Sequence, residues 1–97
     1  MSTVTSKALK MVAQELDIAE DDVLRQGLHA LLERELRAVK AQIFEISGLY
    51  KVSSVKEMEA RYQDGTLEEA DSWRDLQRLD HLEYKRDRLQ CLLETVM

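Results

Sequence analysis

Between residues 23 and 47 the chain meets a single glycine, Gly27, and it contains no proline, so nothing breaks a long run of helix-compatible backbone. Over that run Leu32, Leu36, Val39, Ile43, Ile46 and Tyr50 follow at steps of four, three, four, three and four. This is the spacing of a coiled-coil heptad seam, with every side chain on one side of the helix. Residues 20–47 rise about 42 Å as a helix, farther than a domain of this size covers from all sides. Such a helix needs a partner along its length, either the chain's own return or another polypeptide.

The rest of the chain reads as helix as well. Three glycines and no proline in 97 residues leave few of the turns that sheets require. A first short helix is expected from about Ser6, capped by Thr5 or Ser6, to Leu16, with Leu9, Val12, Ala13 and Leu16 on one face. Asp17 to Ala19 then form a tight connection. Glu20, Asp21 and Asp22 place negative charge on the first turn of the long helix, where the helix dipole favours it. Ala19 stands at the cap position with no hydroxyl or carboxylate to offer, at a loss of about 1 kcal/mol. Leu24, Gly27, Leu28, Leu31 and Leu32 widen the apolar face and imply more than one neighbour. Gly27 itself costs about 1 kcal/mol relative to alanine, which close approach of the first helix, or of that helix's copy in a second chain, would offset.

Gly48 offers a left-handed stop to the long helix. Ser54 and Glu57 carry capping-box spacing, so a third helix begins there, with Val55, Met58 and Tyr62 facing inward and Asp64-Gly65 at its end. The last helix starts near Thr66 or near Ser72, each of which has an acid three residues on. Its apolar face runs through Trp73, Leu76, Leu79, Leu82, Leu89, Leu92, Leu93 and Val96. Arg86 interrupts that face and can lay its stem along it. The fold class expected is all-α: a long antiparallel helical hairpin with short N-terminal and bridging helices, dimeric, in a single domain of residues 1–97. Residues 1–30 form a dimerisation helix pair in this reading, and residues 31–97 the hairpin.

Few residues point to chemistry. One cysteine and the separated His29 and His81 cannot cluster as zinc ligands. The carboxylates Glu57 and Glu59, and Glu69 and Asp71, lie two apart and diverge on a helix, as does the adjacent pair Glu68 and Glu69. No glycine-rich phosphate loop occurs. His29 is expected to be a partly buried, hydrogen-bonded residue or a pH-sensitive interface contact, and His81 to face solvent. Trp73 is expected to close the hairpin core, with a partner anchor as the alternative. Cys91 is expected in an apolar, at least half-buried position, and a lone cysteine suits a reducing cytoplasm. A net charge of -5 disfavours unspecific binding to nucleic acid, although Lys7 and Lys10 make the first dozen residues locally basic. No segment has the ~18 consecutive apolar residues of a membrane span, and residues 1–10 lack the apolar core of a secretory signal.

The segment LKMVAQELDIAEDDVLRQGL, residues 9–28, resembles the two helices of ribbon-helix-helix proteins, the fold of many small prokaryotic antitoxins and repressors. The sequence YKVSS from Tyr50 to Ser54, a short helix, Gly65 and a last helix containing Trp73 is similar to small proteins of toxin-antitoxin loci. The resemblance implies dimerisation through paired N-terminal helices and a long helix offered to a protein partner. Residues 1–6 carry no Lys or Arg with which a ribbon would read DNA.

The expectation is a non-enzymatic homodimeric interaction module without a cofactor, an antitoxin-like neutraliser of a nuclease toxin. A small DNA-binding regulator of ribbon-helix-helix type and an all-α metal-dependent enzyme are the alternatives. The interface residues expected are Leu24, Leu28, Leu32, Leu36, Val39, Ile43, Ile46 and Trp73.

Overall fold

The computed structural model describes residues 2–96. Four helices follow one another: α1 (Thr3–Leu16), α2 (Glu20–Tyr50), α3 (Val55–Gln63) and α4 (Glu69–Val96). No strand occurs among the described residues. α4 returns antiparallel along α2, α3 packs on α4 at the bend, and α1 packs on α2 at the opposite end. The result is an all-α helical hairpin 61 × 22 × 17 Å in extent. Its radius of gyration, 19.7 Å, far exceeds the ~13 Å of a compact chain of about 100 residues.

The seam closes within the chain. Val39 and Ile46 of α2, Val52 of the bend, Met58 of α3, and Leu79 and Leu82 of α4 form one buried cluster. Ile43, Tyr50, Val55, Tyr62, Leu67, Leu76 and Leu89 pack around it. Leu36 and Leu93 are buried farther along the hairpin. Arg86 is half-buried where the apolar face of α4 is interrupted, and its Nε lies 3.0 Å from Asp87.

Several helix ends differ from those expected. α1 begins at Thr3 rather than Ser6, because the Ser2 hydroxyl accepts the Thr5 N–H at 3.2 Å and Ser2 is the cap. A first turn whose Val4 is exposed leaves no mark in an apolar stripe that starts at Leu9. α1 ends on Asp17 in the left-handed region, and α2 begins after Ala19 without any side-chain cap. α2 passes through Gly48 and stops at Tyr50, with Lys51 taking the left-handed position and Val52 N–H bonding the Ser47 carbonyl. Tertiary bonds decide this. Stopping at Gly48 would remove Tyr50 from the inner face, where its hydroxyl donates to Asp75 and its carbonyl accepts from Arg61.

α3 starts as expected at Ser54, whose hydroxyl accepts the Glu57 N–H at 3.2 Å. Glu57 reaches back one residue beyond the usual capping box, accepting from the Ser53 hydroxyl and N–H, and these bonds hold its carboxyl below the ordinary value. The turn after α3 uses Gly65 at φ 79° and an Asp64 carboxylate that accepts the Thr66 N–H at 2.9 Å. α4 starts at Glu69, so Ser72 is no cap: it lies inside the helix, buried, bonding the Glu68 carbonyl at 2.8 Å and the Tyr62 hydroxyl at 2.6 Å.

These bonds tie the tip of the hairpin together. The α3 N-terminal Val55 N–H donates to the Glu83 carboxylate of α4 at 3.1 Å. The Tyr50 hydroxyl donates to the Asp75 carboxylate, which with burial pushes it up to about 12 from 10.0. An acid whose folded value lies above its unfolded one stabilises the fold fully below pH 10 and loses that contribution as pH climbs through 12.

Two outcomes follow. Leu79→Ala, at a fully buried position, is expected to lower unfolding free energy by about 2–5 kcal/mol in urea titrations. Tyr50→Phe is expected to lower it by about 1–2 kcal/mol near neutral pH. Thermal midpoints of the two proteins should converge as pH rises from 10 toward 12, because wild type alone loses the bond.

Candidate interaction surface

The residues with an expected interface role divide between two environments. Leu36, Val39 and Ile46 are buried inside the hairpin, and Ile43 is packed against its core. Leu32 is half-buried. For these residues α4 of the same chain supplies the covering face. Leu24 and Leu28 remain 39% and 49% exposed, and Leu31, beside them, 45%. All three lie on the first half of α2, which runs on without a break across residue 30.

α4 leaves this region open because it passes α2 on the other side. Val96 comes beside Arg25, Gln26, His29, Ala30 and Glu33. At 100° per residue those positions lie across the helix from Leu24 and Leu31. α1 covers little more. Its Ala13 is buried, and Leu9 is half-buried, yet Met11, Val12 and Leu16 are exposed. A Cβ added at Gly27 would meet nothing within 4 Å, so the close approach of α1 expected there does not occur.

Trp73 is also turned outward. It is 43% exposed, with the Arg74 guanidinium 5.5 Å from its ring centre, so it does not close the core as expected. Leu76 and Leu79, three and six residues on, take the inner face instead. Cys91 is exposed rather than half-buried, because it lies two residues from each of the inward Leu89 and Leu93 and therefore on the opposite side. His29 is half-buried, with Nδ1 3.5 Å from the Glu33 carboxylate, and His81 is exposed.

A second uncovered apolar area lies near the tip, where Phe44 is 80% exposed and Leu49 is exposed as well. Beside Phe44 the Ser47 hydroxyl is buried without a partner. Sequence periodicity did not single out Phe44 or Leu49, which fall outside the heptad seam. Tyr50, Arg61, Tyr62, Ser72, Asp75 and Glu83 at the tip, by contrast, are paired with one another or with backbone. Among the described residues no three His, Cys, Asp or Glu side chains come together, and no helix is long and apolar enough to cross a membrane.

The ribbon of a ribbon-helix-helix protein is not formed among the described residues: Met1 lies outside them, and the chain is helical from Thr3. No curated protein matches the chain. No solved structure matches it either. The family whose model matches, over residues 1–97, is described as the Uncharacterized protein MJ0235 family, and the chain belongs to it.

Proposed function

We propose that this protein is a non-enzymatic protein–protein interaction module that works as a homodimer. The observation that carries the reading is surface area. The chain exposes 7349 Å², whereas a folded monomer of 11.3 kDa exposes about 5,700 Å². The excess, about 1,600 Å² per chain, falls in the range that an obligate homodimer buries on each subunit. The exposed apolar side chains Met11, Val12 and Leu16 of α1 and Leu24, Leu28 and Leu31 of α2 lie at one end of the hairpin, which supports that end as the surface that associates.

The polar residues at the tip support a non-enzymatic role. Tyr50, Asp75, Arg61, Tyr62, Ser72 and Glu83 each bond another element or the turn, and their arrangement is accounted for by holding the hairpin closed. The client in this reading is a small toxin protein, a choice that rests on the resemblance of the N-terminal helix pair to antitoxins. It would bind apolar helix surface left free by the dimer, with Phe44, Leu49 and Trp73 as the exposed anchors.

Sedimentation velocity is expected to give a dimer at micromolar concentration. The double variant Leu24→Asp/Leu28→Asp is expected to sediment as a monomer with its helical circular dichroism retained, since both positions lie outside the buried core. A wild-type chain that stays monomeric throughout the micromolar range would remove the reading.

A further inference from the structure

We infer that the second copy docks on α2 itself, antiparallel, with the two helices crossing at Gly27 and Leu28; this placement rests on the homodimer reading above. Leu24, Leu28 and Leu31 stand four and three residues apart and share an exposed side of α2. A two-fold axis between Gly27 and Leu28 sets Leu24 of each copy against Leu31 of the other, and Gly27 of each against Leu28 of the other. An isologous contact requires this kind of self-complementarity. The span from Leu24 to Leu31 is about 10 Å along the helix, two turns, so the matched pairs lie close to the crossing on either side.

Gly27 gives the crossing its location. It is exposed in a helix interior, and a Cβ there would touch nothing in its own chain. No contact in the folded chain therefore accounts for a residue that weakens the helix. At a crossing point, the missing side chain leaves room for Leu28 of the second copy and lets the backbones approach.

Charge favours the antiparallel direction. The first turn of α2 carries Glu20 and Asp21, both exposed, and the far end of the patch carries the exposed Arg34 with Glu35 3.9 Å from it. The two-fold axis sets Asp21 of each copy level with Arg34 of the other and Glu20 level with Glu35, so each acidic turn meets a segment that holds a base as well as an acid. Parallel docking would instead bring the two acidic first turns together.

Single-cysteine chains test the arrangement. In a Cys91→Ser background, Leu24→Cys and Leu31→Cys chains of distinguishable mass are mixed and mildly oxidised. The mixed disulfide between positions 24 and 31 is expected to exceed either self-disulfide several-fold. Predominant self-disulfides would overturn the antiparallel placement. Failure of any disulfide to form while wild type still sediments as a dimer would also overturn it and leave the dimer reading intact. A monomeric wild type would overturn both. Gly27→Leu is expected to weaken dimerisation roughly tenfold or more, with an unchanged or higher thermal midpoint at concentrations where the chain is monomeric. A Gly27→Leu chain that dimerises as tightly as wild type would overturn the crossing.

Discussion

Everything in this molecule depends on the apolar seam between two antiparallel helices. Val39 and Ile46 interlock with Leu79 and Leu82, and Met58 closes the end of the seam from α3. A helix pair one side chain thick has no second layer to share the load, so each buried residue carries a large fraction of a small core. Truncations at these positions are therefore costly, and the charged faces on the outside tolerate change.

The apolar seam alone leaves the axial position of the helices loosely defined, because leucine repeats can slip by a heptad. Polar bonds at the tip remove that freedom. Tyr50 to Asp75, Val55 to Glu83, and Tyr62 to Ser72 each join elements at one register. A shift of α4 by one turn would separate all three pairs and leave half-buried polar groups without partners. The same bonds explain why α2 runs two residues past Gly48 and why a serine is tolerated inside α4.

Coverage is unequal along the rod, and this is where structure meets function. α3 and the tip bonds close one end, while at the other α4 comes past α2 on a single side and α1 covers only part of the rest. The apolar stretch Leu24, Leu28 and Leu31 is thereby left to water in one chain. In the homodimer we propose, the same patch serves on both sides of the interface.

The sequence by itself determined the all-α class, the inward face of α2 from Leu36 to Tyr50, the Ser54 start of α3, and the turns at residues 17–19 and 64–65. Each follows from the chemistry of one helix or one turn: side-chain period, capping hydroxyls and glycine at positive φ. Tertiary structure decided which apolar residues are covered, where α2 ends, and that Ser72 lies inside while Trp73 and Cys91 lie outside. Periodicity reports how side chains are distributed around a helix, but not which side the returning chain will pass. That side is set by the bend and its cross-helix bonds, whose partners stand 25 residues apart for Tyr50 and Asp75 and 28 for Val55 and Glu83, too far for any local pattern to reveal.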